Sequence, residues 1–168
     1  VGFWVDERYD PEKATGAAIR YLKDLHEWFG DWHLALAAYN RGENGVMRDM
    51  AFTRSTEFGE LAGRGALPNE TSNYVPKFMA CVLLGEHPER YGLKPVPQPA
   101  EPFEFARVER DLDLGVAAKA AGTDEETLKR LNPELRSWCT PKGRPYNLRV
   151  PAGSKERFFA ALAEVKDW

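Results

Sequence analysis

Long apolar runs are missing from this chain. No window approaches roughly 18 uninterrupted apolar residues, so no segment reads as a membrane-spanning helix. A positive excess is missing as well: 23 Lys and Arg stand against 26 Asp and Glu, a formal net charge of -3. That removes the basic footprint of a nucleic-acid binder and leaves a neutral or cationic polymer as a partner. Cysteine is scarce. Cys81 and Cys139 are far apart and form no metal or redox motif. Cys81, inside the run FMACVLL, reads as a buried small hydrophobe, with a disulfide to Cys139 as the alternative. His26, His33 and His87 form no H-x-x-x-H pair, so no metal or other cofactor is expected. The opening VGFWVDERYDP has no initiator methionine, charged n-region or apolar signal core. It reads as the start of a mature, trimmed or excised piece, and targeting sequence does not reveal the localisation.

What is present suits an ordinary globular protein. The 168 residues are 43% hydrophobic and 29% charged, with room for one medium domain or two small ones. Asp10 before Pro11 is a helix cap followed by proline at the first helical position. Ala14, Ala18, Tyr21, Leu22, Leu25 and Phe29 then recur at helical spacing, which predicts an amphipathic helix with one buried stripe ending near Gly30. Asp31 caps a second helix whose Ala35, Ala37 and Ala38 permit close approach and whose stop is Gly42, leaving Tyr39 and Asn40 in its last turn. A short helix over residues 43–51 follows, then an irregular surface loop over 53–66 with glycines at 59, 63 and 65. Another helix is expected from 69–71 to about 85, with Tyr74, Val75, Phe78, Val82 and Leu83 on its apolar face and Pro76 a source of kinking.

Residues 95–102, PVPQPAEP, favour an extended semi-rigid connector and mark a domain boundary. Beyond it FEFARVE alternates as a strand, DLGVAAKAAG and DEETLKRLN read as short helices, YNLRVP as a second strand and SKERFFAALAEV as a terminal helix.

Two linked segments carry a resemblance. LALAAYNRGENGV at 34–46 and NETSNYVPKF at 69–78 resemble the second half of the lysozyme-like (SLT-type) peptidoglycan lytic transglycosylases, in particular the membrane-bound murein transglycosylase D type. The order strand, helix, helix, strand over 103–168 resembles a LysM module, with Asn132, Pro133 and Leu135 matching its pattern and ERDLDL at 109–114 standing where that family has a glycine-aspartate turn. The expected fold is therefore mainly α. It comprises a lysozyme-like helical half-domain over 1–94, the linker at 95–102, and a small α+β (βααβ, LysM-like) module with a terminal helix over 103–168.

The resemblance also implies the chemistry. Cleaving a glycosidic bond requires a proton donor, and most such enzymes use two carboxylates. Lytic transglycosylases use one glutamate, because the sugar's own 6-hydroxyl closes an anhydro ring. That glutamate lies in a Glu-Ser pair followed by a glycine-leucine-x-glutamine stretch, and this chain contains neither. The general acid/base is thus expected upstream of Val1, with no catalytic residue in the chain itself. Glu7, Glu43, Glu57 and Glu70 lie at helix starts or in polar loops, where solvated carboxylates are the default.

The motif matches carry over Tyr39, Asn40, Glu70, Thr71 and Tyr74 as substrate-binding or supporting residues. Arg41 stands where alanine is usual, and either narrows the cleft or faces solvent. Implied partners are peptidoglycan glycan strands, together with self-association or a complementary N-terminal segment. The implied location is the bacterial envelope, on its periplasmic side. Two readings stand: part of a transglycosylase, or a non-catalytic glycan-binding or scaffolding protein. For the LysM-like module, sugar binding and a purely packing role both remain open.

Overall fold

The computed structural model describes residues 2–94 and 100–164. The elements are α1 (Pro11–Phe29), α2 (Trp32–Arg41), α3 (Glu43–Thr53), α4 (Phe58–Gly63), α5 (Asn69–Glu86), β1 (Phe103–Val108), α6 (Leu114–Ala121), α7 (Glu125–Leu131), β2 (Tyr146–Pro151) and α8 (Lys155–Glu164). They form two compact units, Gly16–Pro97 and Val1–Thr15 with Gln98–Trp168.

In the helical unit α2 is the centre. Leu34 through Ala38 are all buried, and α2 packs against both α3 and α5. Asp31 accepts the Leu34 N–H at 2.9 Å, so the helix starts where the sequence caps it. Gly42, at φ 86°, ends it with its N–H on the Ala38 carbonyl, a conformation that a side chain would strain. Leu25, Val46, Leu61, Leu67 and Val75 complete the core around it.

Three expectations for this unit need correction. Residues 53–66 are not simply a surface loop: they contain α4, whose Leu61 is fully buried in the core. A six-residue helix with two glycines is too short to display a period. The expected stripe of α1 is only partly covered, with Leu25 buried, Leu22 and Phe29 half-buried and Tyr21 exposed. On α5, Val75 is buried but Val82, Leu83 and Cys81 are exposed. At 1.5 Å per residue the 18 residues of α5 span about 27 Å and the ten of α2 about 15 Å. The far end of α5 therefore outruns the helix that covers it. Pro76 lies inside α5, which continues to Glu86.

The second unit is built on an antiparallel pair, β1 with β2, in register from Phe103 opposite Pro151 to Val108 opposite Tyr146. Helices α6 and α7 connect the strands and α8 follows, enclosing Ala106, Leu114, Leu128, Leu148, Val150 and Phe158. Asn132 ties α7 to β2: its fully buried amide donates to the Leu128 and Arg149 carbonyls and accepts the Arg149 N–H, at 2.8–2.9 Å.

Residues 2–15 pack in this unit rather than with the helices that follow them. The Asp6 N–H donates to the Glu134 carbonyl, the Arg136 N–H to that of Trp4, and Val5 bridges Leu135. Most of the proline-rich connector, residues 95–99, lies outside the described residues.

A buried charge cluster secures the N-terminal segment. The Arg149 guanidinium donates to Asp10 Oδ2 at 2.6 Å and to Glu134 Oε2 at 3.3 Å, and Tyr146 donates to Glu134 Oε1 at 2.6 Å. Burial alone would raise the Asp10 pKa. The Arg149 hydrogen bond and the Lys13 backbone N–H outweigh it and hold the carboxyl below its ordinary value.

Replacing Arg149 by Ala strands two buried carboxylates, so Arg149→Ala is expected to cost about 3–5 kcal/mol in denaturant unfolding. The depressed Asp10 carboxyl contributes stability that is fully present above about pH 4 and lost as pH falls through its folded value. The stability gap between the native chain and Asp10→Asn should therefore narrow on acidification; a gap that widens would contradict this assignment.

Candidate functional site: an aromatic and amide face on the helical unit

The last turn of α2 and the first turns of α5 bring the sequence-identified residues together. Asn40 Oδ1 accepts the Thr71 hydroxyl at 2.8 Å, and its Nδ2 donates to Glu70 Oε1 at 3.4 Å. Thr71 is buried and Glu70 exposed, so Asn40 is oriented from inside and presents its amide outward. Tyr74, one turn beyond Glu70, is half-buried with its ring 6.2 Å from that of Phe78. Burial first, and then the nearby Tyr39 phenol, raise its pKa above the usual tyrosine value.

Tyr39 stands at the surface, 37% exposed, its ring 5.7 Å from that of Tyr21 at 46°. Tyr21 on α1 donates its hydroxyl to Glu43 Oε2 at 2.9 Å. The Glu43 carboxyl is held below its ordinary value by its own backbone N–H and by that hydroxyl, which is the wrong direction for a general acid. The same holds for Glu7, where Lys13 lowers the carboxyl.

Arg41 turns away onto α3. Its Nε donates to Asp49 Oδ2 at 2.6 Å, and the side chain crosses Gly45, where a Cβ would sit 2.8 Å from Arg41 Cγ. Sequence reasoning missed Tyr21 and Glu43 as neighbours of Tyr39. The available signal was the tyrosine itself, whose polar tip requires a partner that an alanine and leucine stripe does not offer.

A helix ended by glycine behind a tyrosine-asparagine pair, packed on a second helix that presents Glu70, Thr71 and Tyr74, forms an aromatic, acceptor-lined wall. Together with the βααβ unit, this is the architecture of an SLT-type lytic transglycosylase domain with a LysM-like module. Residues 1–61 match the transglycosylase SLT domain family, and residues 103–167 match the family described as lytic transglycosylase MltD, LysM-like domain. Membrane-bound lytic murein transglycosylase D of Escherichia coli strain K12 is 32% identical over 165 residues, covering 94% of this chain and 35% of that protein. The protein of the same name from E. coli O6:H1 strain CFT073 gives the same figures. By these matches the chain joins part of an SLT transglycosylase domain to an MltD-type LysM-like domain. It spans about a third of the length of the curated relatives it matches.

The Asn40 anchor is testable. Thr71→Val keeps the shape and deletes the donor, so it should lower stability by about 1 kcal/mol and shift the Asn40 side-chain amide resonances. Unchanged resonances would mean that the Thr71 hydroxyl does not hold Asn40 in solution.

Proposed function

We propose that this chain forms one wall of the sugar cleft of a peptidoglycan lytic transglycosylase. Such an enzyme cleaves the bond between N-acetylmuramic acid and N-acetylglucosamine without water, leaving 1,6-anhydro ends. The observation that carries the reading is the hydrogen-bonded meeting of Asn40 with Thr71 and Glu70 beside Tyr39 and Tyr74. On this reading the tyrosine rings carry the C–H faces of sugars while Asn40 and the phenols supply hydrogen bonds. The proton donor comes from a glutamate outside residues 1–168.

The place of action is the bacterial envelope, on the periplasmic side, where the glycan strands are. The relatives' printed name says membrane-bound, and among the described residues no helix of this chain is long and apolar enough to cross a membrane.

Incubated alone with purified peptidoglycan, the chain should release no anhydro-muropeptides by chromatography of the soluble products. Loss of general acid catalysis typically costs about 10²- to 10⁴-fold in rate. Anhydro products that vanish in Glu43→Gln or Glu70→Gln would place the acid within this chain. Glycan binding that persists when the chain is joined to an upstream Glu-Ser segment, with no cleavage, would favour the non-catalytic reading.

The helical unit also leaves Ile19, Val82 and Leu83 exposed, more than a third of each. We propose that a complementary segment or a second copy covers them. Sedimentation should show concentration-dependent association; a clean monomer at high concentration that binds no hydrophobic dye would argue against it.

A further inference from the structure

The Tyr21 and Tyr39 rings lie 5.7 Å apart and tilted by 46°, yet neither packs against the apolar core of the helical unit, as Tyr74 and Phe78 do. Tyr21 is 40% exposed and Tyr39 37% exposed. Large aromatic surface left in water gains nothing for folding, whereas rigid, half-exposed rings are well suited to ligand contact. Tyr21 is also held in place. Its hydroxyl donates to Glu43, 22 residues away on another helix, so its ring is fixed at both ends of the side chain. The Glu43 carboxylate has two oxygens and about four acceptor positions, which that single hydroxyl does not exhaust.

We infer that Tyr21 and Glu43 form a further sugar-ring subsite, continuous through Tyr39 with the Asn40 and Tyr74 face. The ligand is a pyranose of the N-acetylhexosamine class. Its C–H face lies on the Tyr21 ring, and a hydroxyl or amide N–H donates to Glu43. Tyr39 links the two parts: its ring lies 5.7 Å from that of Tyr21, and the next residue, Asn40, is hydrogen-bonded to Thr71 and Glu70 in the first turn of the helix that carries Tyr74. The three tyrosines thus define a track for successive sugars rather than a pocket for one. This subsite rests on the proposed glycan reading of the helical face.

The test is an NMR titration of the full chain with the β-1,4 tetramer of N-acetylglucosamine, which follows backbone amides and yields a Kd. The native chain should bind, with shifts around Asn40 and Tyr74 as well as around Tyr21. Tyr21→Ala should weaken binding about three- to tenfold, the worth of one stacked ring. Tyr21→Phe keeps the ring and guards against a folding artefact; it should fall between native and Tyr21→Ala. Phe52→Ala, which removes an 86% exposed ring elsewhere, should leave the Kd unchanged. Native-like binding by both Tyr21 variants would overturn the subsite while leaving the groove reading intact. No shifts at Asn40 or Tyr74 in the native chain at millimolar tetramer would overturn the groove reading, and the subsite with it.

Discussion

Helix α2 presents nothing larger than leucine along its buried run Leu34–Ala38, so α3 and α5 can both approach it closely. That packing holds the candidate site. Thr71 reaches Asn40 across the α2 and α5 interface at 2.8 Å, beside a helix whose buried alanines permit close approach. Each buried leucine contributes about 1.5–3 kcal/mol by leaving water, a large share of the margin that holds a small unit folded. The two leucines and the three alanines therefore have different roles: the former supply burial, the latter supply proximity. Gly42 adds the third element, ending α2 so that Tyr39 and Asn40 emerge at a terminus rather than inside a continuous helix.

The LysM-like unit rests on a different principle. Besides its apolar core, buried polar groups carry much of the specification. Asn132 satisfies the end of α7 and the middle of β2 with one side chain. Arg149 gathers Asp10 and Glu134, with Phe103 and Phe105 flanking its guanidinium at 5.2 and 5.8 Å. Buried ion pairs seldom add much net stability, but a broken one is costly. The cluster thus selects one arrangement of residues 2–15 over others.

Features set by neighbouring residues were legible in the sequence. The Asp10-Pro11 start, the Asp31 cap, the Gly42 stop and both strands of the βααβ unit follow from local backbone chemistry, and the structure places them where that chemistry points. Burial was less legible because it depends on the length and position of a partner element. Val82 and Leu83 continue the apolar face of α5 yet lie in water, and Leu61 occupies a glycine-rich stretch yet is fully buried. The alliance of residues 2–15 with the second unit was hidden for the same reason. It depends on Arg149, 139 positions from Asp10. Of the site, the motif residues were visible as a set, while Tyr21 was disguised by its position in an apolar period.

Environment, not residue type, assigns the roles on the helical face. A carboxyl that is to protonate a leaving oxygen near neutral pH needs apolar surroundings that raise its pKa. Glu43 has the opposite, a backbone N–H and a phenol that stabilise its charge, which fits it to accept hydrogen bonds. Tyr74 is the complementary case. Burial raises the pKa of its phenol above the usual tyrosine value, which adds to the protonation that any tyrosine has at neutral pH and leaves it able to donate. On the proposed reading, a neutral phenol beside a sugar cleft is suited to donate to a carboxylate brought against it. On that same proposed reading, an amide held by Thr71 and Glu70 beside half-exposed rings is preorganised to receive a chemical group supplied from elsewhere.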